Sequence, residues 1–321
     1  MENYKKGIDS LVYAVCGSGK TEISLQVIQY AINCGEHVAF AVPRKDVVIE
    51  LHNRLKNIFK DNEVIAVYGG HHDVLDGDLV VLTTHQLYRY DKYFSLIVLD
   101  EIDAFPFKDN DVLRHMFFKS LCGHYIMMSA TPTKEALDLF SGENKEILKL
   151  DIRFHRHPLP LPNVYINYKF INILLLLIHV RKYLKKDKPI FIFSPTIEEC
   201  ELLYYYLAIF FKHGAYVHSQ KNTRNKIISN FRKGFYKYLV TTSVLERGVT
   251  VKDLQVIVWH ADHVIYDSGT LVQISGRAGR KMDAPTGEVI YFASKETDAM
   301  VEARRSISRS NKALQDMLQR D

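Results

Sequence analysis

Leu11-Val12-Tyr13-Ala14-Val15-Cys16-Gly17-Ser18-Gly19-Lys20-Thr21 is an apolar run that breaks into a glycine turn and ends on Lys-Thr. The residues that follow, Glu22-Ile23-Ser24-Leu25-Gln26-Val27-Ile28, suit a helix. Strand, glycine loop and helix in this order form a phosphate-binding loop. The glycines let backbone N–H groups close around phosphate oxygens, and the helix N-terminus adds partial positive charge. Gly17, Ser18 and Gly19 are therefore expected to cradle phosphates. Lys20 is expected to reach the β- and γ-phosphates of ATP, and Thr21 to hold Mg²⁺.

Outward from this loop, strands and helices alternate. Strands are expected over 36–42, 64–67, 79–82, 95–99 and 125–128, with a helix over 46–59. The runs are apolar rather than alternating, which implies a mostly parallel sheet covered on both faces. Near residue 150 the rhythm breaks. Arg153-Phe154-His155-Arg156-His157-Pro158-Leu159-Pro160-Leu161-Pro162 has the proline density of a connector. The rhythm then restarts, with strands at 189–193, 215–217, 238–240, 254–259 and 288–292. Helices are expected over 171–184, from 196 to 211, over 225–232 and from 295 onward. The fold class is thus α/β, with two tandem domains, 1–150 and 151–321, of which only the first has a phosphate loop.

The 321 residues are 47% hydrophobic and 25% charged, as in an ordinary globular protein. The longest apolar run, 171–180, is too short to span a bilayer, so no membrane insertion is expected. No leader pattern appears at Met1, which implies a cytoplasmic protein. Cys16, Cys34, Cys122 and Cys200 are scattered, with no Cys-x-x-Cys pair, so neither zinc nor disulfides are expected. The net charge of +5 is unevenly divided. Residues 1–150 carry 16 Lys/Arg against 21 Asp/Glu, and residues 151–321 carry 26 against 16. The basic half could dock on the acidic half or lie on a nucleic-acid backbone.

Several polar motifs follow apolar strands, where open α/β sheets place ligands. Asp100 is expected to bind the Mg²⁺ shell, and Glu101 to orient and deprotonate the attacking water. Asp103 would tie this site to neighbouring motifs. Ser129-Ala130-Thr131, read through Ser129 and Thr131, would couple hydrolysis to domain movement; alone it is also a hydroxyl-capped helix start. In Gln273-Ile274-Ser275-Gly276-Arg277-Ala278-Gly279-Arg280, the arginines Arg277 and Arg280 would act as fingers on the γ-phosphate, with Gln273 beside them. The stretch Thr241-Thr242-Ser243-Val244-Leu245-Glu246-Arg247-Gly248-Val249-Thr250 suits phosphate contacts. Thr241 and Thr242 would face a nucleic-acid backbone and Gly248 the nucleotide. Arg44, Thr84 and Ser194 would be further backbone contacts. Tyr204-Tyr205-Tyr206 is read as partly core, and His71-His72 as loop.

In this order, the phosphate loop beginning at Ala14, Asp-Glu-x-Asp, Ser-Ala-Thr, Thr-Thr-x-x-x-x-Arg-Gly and Gln-x-x-Gly-Arg-x-Gly-Arg resemble a superfamily 2 DEAD/DEAH-type helicase core. Within it, Asp100-Glu101-Ile102-Asp103-Ala104-Phe105-Pro106-Phe107 and the stretch 241–250 are similar to the ComFA family of late-competence ATPases. That resemblance implies two RecA-like domains with ATP between them. It further implies an ATP-driven motor on single-stranded DNA, working at the cytoplasmic side of the membrane beside the channel ComEC, with ComFC as a partner. The family's N-terminal four-cysteine zinc module has no counterpart here, and only about ten residues precede the first strand where the family has an adenine-holding segment. Thr250 stands where DEAD-box RNA helicases have Asp, which argues against that branch. A duplex-unwinding DNA helicase and a non-hydrolysing nucleic-acid scaffold are the alternatives.

Overall fold

The computed structural model describes residues 1–14, 18–102, 110–130, 134–150, 153, 156–245 and 251–319. The chain divides into two compact units, Met1–Asp151 and Ile152–Asp321.

The first unit runs α1 (Glu2–Lys5), β1 (Asp9–Ala14), α2 (Lys20–Asn33), β2 (Val38–Val42), α3 (Lys45–Ile58), β3 (Val64–Val67), β4 (Leu79–Thr83), β5 (Phe94–Asp100), α4 (Asp111–Ser120), β6 (Leu121–Ser129), α5 (Lys134–Asp138) and β7 (Lys145–Leu150). Its strands form one sheet in the order β3-β4-β2-β5-β6-β1-β7. Every pairing is parallel. The continuous apolar runs follow from this arrangement. In β2, Val38, Phe40 and Val42 enter the core on one face while Ala39 and Ala41 enter the core on the other. A strand buried on both faces has no position for a polar side chain.

The second unit runs β8 (Asn163–Ile166), α6 (Lys169–Lys185), β9 (Ile190–Phe193), α7 (Ile197–Phe210), β10 (Gly214–Val217), α8 (Arg224–Arg232), β11 (Tyr238–Thr241), β12 (Gln255–Val258), α9 (Ser268–Ser275), β13 (Val289–Ala293) and α10 (Asp298–Leu318). Its six strands, again all parallel, lie in the order β10-β11-β9-β12-β13-β8. α6 and α7 pack on one face, where Ile190, Ile192, Tyr238, Val240, Ile290 and Phe292 meet Leu176, Val180, Leu203 and Leu207. Tyr204 packs against this core, while Tyr205 is exposed. Tandem parallel sheets flanked by helices are the RecA-like pair that the sequence implies. The edge strands β7 and β8 were not expected. Both are half exposed and lack the apolar continuity of the central strands.

The sheet of the first unit is irregular at one place. The register of β5 against β6 shifts between Phe94 and Leu96, and Gly123 faces the shift. A Cβ at Gly123 would lie 2.3 Å from the Ser95 carbonyl oxygen. Glycine is required by this close approach of backbones. Gly123→Ala is expected to destabilise the first unit by about 1–3 kcal/mol, read as a lowered urea midpoint. An unchanged midpoint would show that β5 and β6 have room to spare.

Candidate active site

Because all strands run the same way, the loops after β1, β5 and β6 leave one edge of the sheet, and these strands are adjacent in the order β5-β6-β1. Tyr13 is opposite Ser129, and Asp100 is opposite Met128. The phosphate loop, the acidic pair and Ser129 therefore start from one row, about two strand spacings or ~10 Å wide.

Gly19 precedes α2 in the left-handed conformation, φ 83°, and, having no side chain, does not cap the helix. The first-turn N–H groups are thus left for an outside acceptor. Lys20 and Thr21 are the first two residues of α2. Among the described residues, Lys20 has no ion-pair partner. The Ser18 hydroxyl is buried and, among the described residues, makes no hydrogen bond. A buried hydroxyl without a partner, an uncapped helix and a lone ammonium converge, and each is satisfied by a phosphate oxygen. Gly17 lies outside the described residues.

Asp100 ends β5 and accepts the Glu101 N–H at 2.8 Å. Glu101 has φ 63°, a left-handed conformation that a residue with a Cβ adopts only under constraint. Ser129 is fully buried at the end of β6. Among the described residues no three His, Cys, Asp or Glu side chains gather as a metal cage. The residues nonetheless fit Mg²⁺, which binds through one or two carboxylates together with substrate phosphates. Thr21 and Asp100 would hold it. Asp103 and Thr131 lie outside the described residues.

In the second unit, Gln273 occupies the last turn of α9 and is buried. Gly276 caps the helix, its N–H bonded to the Val272 carbonyl at 2.9 Å. Gly279 has φ 60°, and a Cβ there would lie 2.2 Å from the Pro285 carbonyl oxygen. The two glycines thus end α9 and turn the chain tightly. Arg277 is buried, whereas Arg280 is partly exposed and, among the described residues, has no ion-pair partner. Gly248 lies outside the described residues. The signal that sequence reading missed is Arg153, taken as part of the connector. It is 2% exposed and donates to the Gly276, Ala278 and Gly279 carbonyls.

Three of the residues expected to contact nucleic acid have side chains that do not face outward in this structure. The side chains of Thr84, Ser194 and Thr241 are fully buried. Ser194 Oγ reaches the Thr196 carbonyl at 3.5 Å, and Thr241 Oγ1 donates to the Thr242 carbonyl at 3.0 Å. These hydroxyls shape the strand ends rather than present themselves outward. Arg44 and Thr242 remain partly exposed. Arg44 holds Asp46, with Nη2 3.1 Å from the carboxylate. Their placement is still orderly. Arg44 follows β2 and Thr84 follows its neighbour β4, while Ser194 and Thr241 mark the ends of the adjacent β9 and β11.

Two family models match the chain: DEAD/DEAH box helicase over residues 1–139, and Helicase conserved C-terminal domain over residues 171–282. The fold is similar to S. cerevisiae Dbp5 bound to RNA and ADP BeF3 (TM-score 0.73, 16% identity, 95% of this chain and 83% of that one). It is also similar to Mycobacterium smegmatis Lhr bound to ssDNA and AMP-PNP (TM-score 0.71, 16% identity, 97% and 47%). Fold and site together define an ATP hydrolase of helicase superfamily 2, an ATP-dependent nucleic-acid motor. Competence protein ComFA of Bacillus subtilis (strain 168) is 35% identical over 325 residues, 97% of this chain and 69% of the relative. That of Streptococcus pneumoniae (strain ATCC BAA-255 / R6) is 35% identical over 316 residues, 94% and 72%. The chain belongs to the ComFA family. Among its described residues no helix is long and apolar enough to cross a membrane.

The left-handed turn at Glu101 has a measurable consequence. Alanine ordinarily outranks glycine in stability, but at positive φ the order reverses by about 1 kcal/mol. Glu101→Gly is expected to melt above Glu101→Ala. The opposite order in thermal unfolding would rule out the left-handed conformation.

Proposed function

We propose that this chain is an ATP-driven translocase on single-stranded DNA that serves DNA uptake in natural transformation. The observation that carries the reading is the division of one sheet edge in the first unit. The ends of β5, β6 and β1 bear the nucleotide motifs, and the end of the neighbouring β2 is followed by the partly exposed Arg44. A change at the γ-phosphate is thus one strand away from the surface assigned to nucleic acid. The printed names of the two competence relatives supply the biological setting.

In this reading the loop N–H groups and Lys20 bind the triphosphate. Thr21 and Asp100 would hold Mg²⁺, which would supply charge neutralisation of the triphosphate. Glu101 orients the attacking water and takes its proton. Gln273, Arg277 and Arg280 act on the γ-phosphate from the second unit, with Gly248 toward the nucleotide. Asp103, Ser129 and Thr131 relay its state. Arg44 and Thr242 grip the sugar–phosphate backbone, and Thr84, Ser194 and Thr241 support the turns that present it. Unequal grip in the ATP and product states moves the strand. ComFC and the channel ComEC are the partners this role calls for.

The test is ATP turnover by the purified chain alone and with single-stranded DNA, duplex DNA or RNA. Single-stranded DNA is expected to stimulate turnover most. Lys20→Ala is expected to abolish it, and Glu101→Gln to lower it about 10²–10⁴-fold, the span of a general base. Full turnover in either variant would sink the assignment. Equal stimulation by RNA would overturn the choice of strand, and displacement of a duplexed oligonucleotide would favour a helicase.

A further inference from the structure

We infer that Arg153 is a positioning residue for the arginines of the second unit, fastening the loop that carries Arg277 and Arg280 to the start of that unit. This inference rests on the reading that Arg280 acts on the nucleotide.

The guanidinium makes a fork into three carbonyls. Nη1 donates to Ala278 at 3.3 Å and to Gly279 at 2.8 Å, and Nη2 donates to Gly276 at 3.0 Å and to Ala278 at 3.2 Å. The loop follows the last turn of α9, where carbonyls have lost their helical donors and carry partial negative charge. A residue more than 120 positions earlier in the sequence therefore acts as the C-terminal cap. The capped carbonyls belong to Gly276, Ala278 and Gly279, which bracket Arg277 and immediately precede Arg280. The backbone angles of these residues set where both guanidinium groups point. Gly279 adds a second restraint, since the Pro285 backbone lies against its Cα.

Arg153 is also the second residue of its unit, which begins at Ile152. The chain arriving from the first unit therefore reaches the arginine loop within two residues.

A displacement of about 1 Å in a positioned group costs on the order of 10²-fold in rate. Lysine keeps the charge but is a point donor, unable to span three carbonyls as a planar fork does. Arg153→Lys is expected to lower kcat about tenfold and Arg153→Ala about 10²-fold, with KM for ATP within about twofold, because binding by the first unit is untouched. The double variant Arg153→Ala/Arg280→Ala is expected to lose less than the product of the two single losses, since part of the effect of Arg153 is exerted through Arg280. Measurements are steady-state ATP turnover with saturating single-stranded DNA, with thermal melting of each variant. Wild-type kcat in both Arg153 variants while Arg280→Ala is impaired would overturn the inference and leave the reading of Arg280 intact. Losses that multiply in the double variant would also overturn it. Wild-type turnover in Arg280→Ala would remove the reading and the inference together. If Arg153→Ala fails to fold, Arg153→Lys decides by the same criteria.

Discussion

Parallel strand pairing constrains everything else in this protein. Parallel strands cannot be joined by tight turns, so the connections are long crossovers, and those that are helices, such as α2, α3, α6 and α7, cover a face of the sheet. Both faces are then dry and the strands must be apolar throughout, as β2 and β4 are. Polar chemistry is excluded from the sheet itself and pushed to the loops beyond its C-terminal edge. That edge gathers the phosphate loop, Asp100, Glu101 and Ser129 without any sequence proximity between them. Their spacing is set by backbone hydrogen bonds between β5, β6 and β1, which side-chain substitutions at the site do not disturb.

At that edge the protein keeps several groups in costly arrangements. Ser18 has a buried hydroxyl with no partner among the described residues, Gly19 gives α2 no side-chain cap, and Glu101 occupies a left-handed turn. Each costs stability in the free protein, on the order of 1–3 kcal/mol for an unsatisfied buried group or a strained residue. The first two are relieved by a bound phosphate, so part of the binding free energy is set aside by the fold. The second unit shows the opposite habit. Its arginine loop is satisfied internally, with carbonyls bound by Arg153 and backbone packed on Pro285–Gly287.

Much of this was legible in the sequence because the signals are local. The glycine turn before Lys20-Thr21, the apolar run before Asp100-Glu101 and the spacing of Gly276 and Gly279 each record a backbone requirement at that place. Edge strands were harder. β7 reads Lys-Glu-Ile-Leu-Lys-Leu and β8 reads Asn-Val-Tyr-Ile, and neither is apolar enough to stand out, since an edge strand is partly wet. The burial of Thr84, Ser194 and Thr241 was not legible, because a hydroxyl at a strand end looks the same in sequence whether it faces solvent or, as at Ser194 and Thr241, folds back on a nearby carbonyl. Arg153 was hidden for another reason. Its partners are main-chain atoms more than 120 residues away, and carbonyl oxygens leave no mark on composition or pattern.

The family model for the second unit begins at residue 171, yet two of that unit's structural parts lie before it. β8, at 163–166, closes one edge of the sheet by pairing with β13, and Leu159 exchanges two hydrogen bonds with the Asn311 side chain of α10. Arg153 lies earlier still. A fragment that began at residue 171 and kept the rest of the unit would expose the side of β13 and leave the carbonyls after α9 without their donor. The physical unit therefore begins 19 residues before the family model, at 152 against 171, and runs on past its end at 282 to residue 321. A gene fusion or split-protein design that respects only the family model would separate the arginine loop from its anchor.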